Sequence, residues 1–135
     1  MRPAGWLCTG VMGALALSSL GAKGTPKATP FETAMAASKS NLESPEGQRY
    51  DEQFGRWFGE HHGDTMVRCT KGAKPDDLRK FDLLVRVSGE GKAEEVLVSP
   101  QTSVARCVAE EIRKGASVQP PRPSYWVRVE MTISP

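Results

Sequence analysis

The chain has 135 residues, of which 39% are apolar, and its 18 Lys and Arg nearly balance its 16 Asp and Glu. This length allows one domain with a packed core and leaves too little chain for a second domain beside a targeting segment. A net charge of +2, with no basic run between aromatic residues, argues against a nucleic-acid-binding role.

Residues 1–22 have the order of a signal peptide. Arg2 provides the positive start, an apolar stretch runs from Val11 to Leu20, and small residues follow it. Cleavage after Gly21 or Ala22 fits this pattern best. The alternative is an uncleaved membrane anchor, but glycines interrupt the stretch, and it is short for a span of about 20 strongly apolar residues. We therefore expect a periplasmic or secreted protein.

Segment 23–44 is rich in Ala, Thr, Ser, Pro and Lys, and its apolar periodicity is poor. This composition is typical of a flexible linker, although Phe31 to Leu42 could form a loose helix. We therefore expect the folded domain at 45–135.

A helix is predicted after Ser44, which can cap it, with Pro45 at its first position. Aromatic residues recur along this helix with helical period and form one apolar stripe. The stripe consists of Tyr50, Phe54, Trp57 and Phe58, with His61 at its end. Gly63 is expected to end or kink the helix before a second short turn, Thr65 to Thr70, that carries Cys69.

Two runs with period-two alternation follow, the first from Phe81 to Ser88 and the second from Glu94 to Ser99. A short Gly-containing turn joins them, which predicts an antiparallel hairpin. A helix is then expected from Thr102 or Ser103 to about Lys114.

The last strand is predicted from Tyr125 to Ile133, because apolar and polar residues alternate along it. The order helix, strand, strand, helix, strand predicts an α+β fold. We expect a two-layer sandwich, in which a three-stranded antiparallel sheet carries the helices on one face.

The signal peptide contains Cys8, so its removal leaves Cys69 and Cys107. An even count in a small exported domain predicts one disulfide between them. Both cysteines lie on predicted helical segments, so the bond would join two helices over the same sheet face. The alternative is a pair of buried free thiols.

From Asp82 onward the chain resembles the C-terminal domain of TonB and its relatives. The resemblance is carried by Asp82-Leu-Leu-Val-Arg-Val-Ser-Gly-Glu-Gly-Lys, Glu95-Val-Leu-Val-Ser-Pro, Val108-Ala-Glu-Glu-Ile-Arg, Pro120-Pro and Tyr125-Trp-Val-Arg-Val-Glu-Met-Thr-Ile. The paired cysteines resemble the branch found at the C-termini of some gliding-motility proteins.

In that family, the domain binds a short segment of an outer-membrane protein by adding a strand at its sheet edge. The resemblance implies that Tyr125 to Ile133 is that edge and that the partner is an envelope protein. The chain lacks the long proline-rich spacer and the N-terminal histidine of energy-transducing members. The resemblance therefore implies the fold and not the energy-coupling role, because function depends on the site.

A second partner-binding candidate is the outer face of the sheet, where side chains would project together if the first and last strands are neighbours. Trp and Arg are common anchors in protein interfaces. The predicted partner-binding residues on this face and along the adjacent edge are Leu84, Arg86, Tyr125, Trp126, Val127, Arg128 and Val129. The alternatives are ordinary exposed sheet surface and cover by the N-terminal helix.

Catalytic and metal-binding signatures are missing from the sequence. His61 and His62 are adjacent on a helix and point about 100° apart, so they do not easily chelate one ion, and no further ligands follow at zinc-like spacing. No nucleophile elbow or phosphate loop occurs.

We therefore predict a non-catalytic protein-binding module of the cell envelope, without a cofactor or small-molecule substrate. One alternative is a structural or assembly subunit of an envelope or motility complex, which would dock by the Tyr50–Phe58 helix or by the sheet face. The other alternative is an enzyme.

Overall fold

The computed structural model describes residues 26–134 of the chain, so the predicted signal peptide, residues 1–22, lies outside the described residues. The elements are α1 (Pro30–Asn41), α2 (Pro45–Thr70), a 3₁₀ turn (Pro75–Leu78), β1 (Phe81–Val87), β2 (Ala93–Ser99), α3 (Ser103–Arg113) and β3 (Tyr125–Met131). From α2 onward, the helices and strands follow the predicted order, and the α+β class is confirmed.

The three strands form one antiparallel sheet in the order β2-β1-β3. β1 is therefore the central strand, and its Leu84 lies opposite Leu97 of β2 and Arg128 of β3. The first and last strands are neighbours, as the sequence argument required. β2 and β3 are the two edges of the sheet.

The main core lies on the sheet face that α2 and α3 cover. Alternate residues of β1 point into it, and the aromatic stripe of α2 packs against them. The fully buried side chains of this core include Phe54, Phe81, Leu83, Val85, Val87, Val96, Val104 and Val108. Each contributes about 1.5–3 kcal/mol by leaving water. Because Tyr50, Phe54 and Phe58 are committed to this core, that side of α2 is not available for docking to a partner.

Helix α1 corrects the prediction of a flexible linker over most of 23–44. Thr29 and Glu32 form a reciprocal capping box, and Pro30 occupies the first turn. The helix contacts all three strands, and its buried residues are Ala34 and Ser38. Small buried residues let the helix approach the sheet closely, but they produce almost no apolar period, so the sequence pattern missed this packing.

The two predicted layers are present, and α1 adds a third on the opposite face of the sheet. Leu84 alternates with Leu83 and Val85, so it points away from the main core. It is nonetheless fully buried, and α1 is the helix that crosses this second face.

Helix α2 runs without interruption through Gly63, so the prediction that Gly63 ends or kinks it is wrong. Gly is unfavourable inside a helix by about 1 kcal/mol relative to Ala. Packing offsets this cost, because Phe58 and Thr65 are buried on either side of Gly63 and α2 packs against α3.

The predicted disulfide between Cys69 and Cys107 is confirmed, with a Cα–Cα distance of 5.6 Å. It joins the last turn of α2 to the middle of α3. Within residues 26–134, no helix is long and apolar enough to cross a membrane.

Candidate functional site

The predicted partner-binding residues divide into buried and half-buried groups. Leu84 is fully buried, and Tyr125 and Val127 belong to the main core. The prediction that Leu84 is exposed to a partner is therefore corrected, because α1 packs on the face to which it points. Since β3 alternates, Tyr125 and Val127 point inward and offer only their backbone groups.

The half-buried members of the set already have intramolecular partners. The Arg86 guanidinium lies 5.9 Å from the centre of the Trp126 ring, and Glu94 and Glu95 lie 3.5 and 3.4 Å from its nitrogens. The Glu94 contact is an ion pair without hydrogen-bond geometry, since Arg86 Nε is buried and has no hydrogen-bond partner. Arg128 pairs with Asp82 at 2.7 Å and with Glu130 at 3.1 Å.

The edge of β3 is partly covered by the junction between α1 and α2. Asn41 Nδ2 donates a hydrogen bond of 3.0 Å to the Trp126 carbonyl. Only about 10 Å³ of space remains between this junction and residues 125–128. The remaining part of the edge, from Val129 onward, is half-buried to exposed.

A much larger groove, of about 440 Å³, lies along the opposite edge of the sheet, at β2. One wall is the start of α1, and the other is the face of α3. The residues lining the groove are Thr29, Pro30, Phe31, Val96, Leu97, Val98, Gln101, Arg106, Ala109, Glu110 and Arg113.

The polar groups of the groove lie along its α3 wall. Arg113 Nη2 donates to the Val96 carbonyl at 2.9 Å, and the same guanidinium forms an ion pair with Glu110. Because α3 begins shortly after Gln101 and runs back along β2, Arg106 in its first turns lies towards the Val98 end. Among the described residues, no carboxylate forms an ion pair with the Arg106 side chain.

Asp77 is a carboxylate near Arg106, but it is engaged elsewhere. Its Oδ1 accepts a hydrogen bond of 3.1 Å from the Ser103 amide at the start of α3. This hydrogen bond is the largest cause of the lowered pKa of Asp77, and the charge of Arg106 is a smaller one. Asp77 therefore feels the field of Arg106 without neutralising it by contact.

The groove combines an apolar floor with the backbone of an edge strand. Such an arrangement suits an extended peptide, because an added strand pairs with the backbone while its side chains enter neighbouring pockets. Within residues 26–134 no cluster of His, Cys, Asp and Glu could hold a metal ion. His61 instead stacks on Trp57, with the ring centres 5.3 Å apart.

Sequence reasoning missed this groove. Phe31 falls in the segment predicted as a linker with a possible loose helix, and no pattern distinguishes Arg106 from an ordinary exposed helix residue. The groove exists only because α1 and α3 lie on opposite faces of the sheet and both reach its β2 edge. No local signal in the sequence reports that arrangement.

No protein-family model matches this chain, and neither a curated protein nor a solved structure matches it. The resemblance to TonB C-terminal domains therefore remains a prediction from the sequence pattern.

Proposed function

We propose that this protein is a non-catalytic, protein-binding module of the cell envelope, which takes up an extended segment of another envelope protein along the edge of β2. The observation that supports the proposal most strongly is the groove of about 440 Å³ beside that edge. Its floor includes the backbone of the edge strand β2, to which an extended segment can pair.

The chemistry of an edge strand supports an extended ligand. Alternate backbone N–H and C=O groups of β2 point away from β1, and an edge strand offers them to any chain that can pair with it. The Arg113 side chain holds one of them, the Val96 carbonyl. The bound segment would displace this part-buried hydrogen bond, which contributes about 1.5–3 kcal/mol, and its own backbone N–H would replace the guanidinium at the Val96 carbonyl.

The edge of β3 is the alternative site for strand addition, as the resemblance to TonB implies. A ligand there would have to displace the hydrogen bond from Asn41 to Trp126 and the packing of the α1–α2 junction. The β2 edge requires no such rearrangement of a helix junction, so we favour β2.

The disulfide supports an oxidising, extracytoplasmic setting for this binding. Since Cys107 lies in α3, the bond also holds the helix that forms one wall of the groove. A preorganised wall favours binding, because less conformational entropy is lost when the ligand enters.

Photo-crosslinking in living cells tests the proposal. A photoreactive residue is placed at Gln101 in the groove, at Thr132 beyond β3, or at the exposed Glu60 of α2 as a control. We expect a specific adduct from Gln101 alone. The crosslinked segment of the captured protein is then synthesised as a peptide and titrated into the ¹⁵N-labelled chain.

The titration locates the binding edge. Amide shifts confined to residues 96–98 and the α3 wall support the proposal. Shifts confined to residues 129–131, or adducts from the Thr132 position alone, would replace β2 by β3 as the binding edge. A peptide that shifts neither edge contradicts strand addition altogether.

A further inference from the structure

We infer that the segment bound at the β2 edge is acidic, with an Asp or Glu side chain that pairs with Arg106 and apolar side chains on either side of it. This inference rests on the proposed function, because it names the chemistry of the ligand for the same groove. Three properties of the groove support it: the polarity of each wall, the charge on Arg106 that lacks a contact partner, and the sequence of the N-terminal segment that leads into the groove.

The two walls differ in polarity. On the α1 side, Pro30, Phe31 and the half-buried Leu97 form an apolar surface. On the α3 side, Arg106, Glu110 and Arg113 follow one another along the helix. Successive residues of an added strand point alternately to these two sides. In the bound segment, the side chains that point to the α1 wall would therefore be apolar, and they would lie on either side of a residue that points to the α3 wall.

The charge available on the α3 wall is positive. Glu110 and Arg113 neutralise each other by direct contact, whereas within the described part of the chain Arg106 has no such partner. The N-terminus of α3 adds nothing to this charge, because the Asp77 carboxylate and the Thr102 hydroxyl already accept hydrogen bonds from its amides. A carboxylate is the side chain that complements the Arg106 guanidinium.

The chain's own N-terminal segment does not provide this carboxylate. Thr29 and Pro30 line the groove, but residues 1–31 contain no Asp or Glu. Their charged residues are Arg2, Lys23 and Lys27, which have the same sign as Arg106. Charge complementarity therefore favours a segment from another protein.

Peptide selection tests the inference. A phage-displayed library of random decapeptides is panned against the full chain, produced with its disulfide formed. We expect the selected peptides to share an apolar–acidic–apolar core. Replacing the acidic residue by its amide should weaken binding about twofold to fivefold, because an ion pair at an exposed site is lost.

Charge reversal provides the specific control. Arg106→Glu should change the preference at the central position from Asp or Glu to Lys or Arg. Arg56→Glu makes the same charge change on the exposed surface of α2, away from the groove, and should retain the acidic preference. Arg106→Gln, which removes the charge without reversing it, should bind the acidic peptide and its amide equally well.

The outcomes separate this inference from the proposed function. Selected peptides that shift the amides of residues 96–98 without an acidic preference overturn the inference and leave the proposed function standing. Selected peptides that shift none of these amides overturn both. A third outcome would also overturn the inference: the wild-type chain forms a dimer, which Arg106→Glu dissociates and Arg56→Glu leaves intact. The occupant of the groove would then be a second copy of the chain.

Discussion

The disulfide is expected to supply a large share of the domain's stability. The two cysteines are 38 residues apart, and closing a loop of that length in the unfolded chain contributes about 4 kcal/mol by the loop-entropy relation. Domains of this size have a free energy of unfolding of about 5–15 kcal/mol in total. The double variant Cys69→Ser, Cys107→Ser should therefore lose between a quarter and most of its stability.

Urea unfolding followed by Trp fluorescence measures this loss. The unfolding midpoint should fall, and the slope of the free energy against urea should rise, because the unfolded chain without the bridge is more extended. In thermal unfolding, about 4 kcal/mol corresponds to a decrease in Tm of about 15 °C for a domain of this size. Val67→Ser, at an exposed position near the same end of α2, is the matched control, and it should leave both midpoints nearly unchanged.

The destabilisation should begin at one end of α2. Beyond Phe58, the only buried residue of this helix is Thr65, and Gly59 and Gly63 weaken its intrinsic helicity. Hydrogen exchange in the double variant should therefore be fastest from Gly59 to Thr70. A loss below about 1 kcal/mol, or exchange that is uniform over the domain, would refute the view that the bridge constrains the unfolded chain and holds α2 against α3.

Three further predictions concern the buried second face, the helix junction and pH. Leu84→Ala should cost about 2–5 kcal/mol in urea unfolding, because it creates a cavity under α1; a cost near zero would mean that α1 does not cover this residue. Gly47→Ala would place a Cβ against the Asn41 carbonyl oxygen at the end of α1, and it should destabilise the domain by about 1–3 kcal/mol. Gly55→Ala is the control: its Cβ would meet nothing within 4 Å, so it should stabilise the domain by up to about 1 kcal/mol. Burial is the main cause of the lowered pKa of the His62 imidazole in the folded chain. The unfolded chain therefore protonates His62 more readily, and the free energy of unfolding should fall as pH drops below about 6.5. Chemical unfolding at pH 7.5 and 5.5 checks this; His62→Gln should reduce the dependence and His61→Gln should retain most of it.

The strands, the start of α2 and helix α3 follow from local chemistry, so the sequence predicted them. Ser44 and Thr102 cap α2 and α3 through their side chains, as expected from their position before each apolar pattern. β3 alternates, and in β1 only Leu84 departs from the alternation, because residues on one face of each strand enter the main core. The cysteine count and the secretion pattern together predicted the disulfide.

The candidate site depends on long-range packing and was therefore not predictable in the same way. Arg86, Trp126 and Arg128 looked like an open binding face, but Glu94, Glu95 and Asp82 pair with their arginines in the folded chain. Such pairs form between strands, and their partners are known only once the register is known.

By itself, the sequence determined the order of the helices and strands from Pro45 onward, the apolar face of each strand that enters the main core, and the pairing of the cysteines, since each of these depends on residues close in the chain or on a simple count. Only the tertiary structure decided that α1 packs across the second face, because its buried residues, Ala34 and Ser38, are small and leave no apolar period. The groove at β2 is a consequence of that packing. Its walls come from α1 and α3, more than sixty residues apart in the chain, and only the folded sheet brings them together.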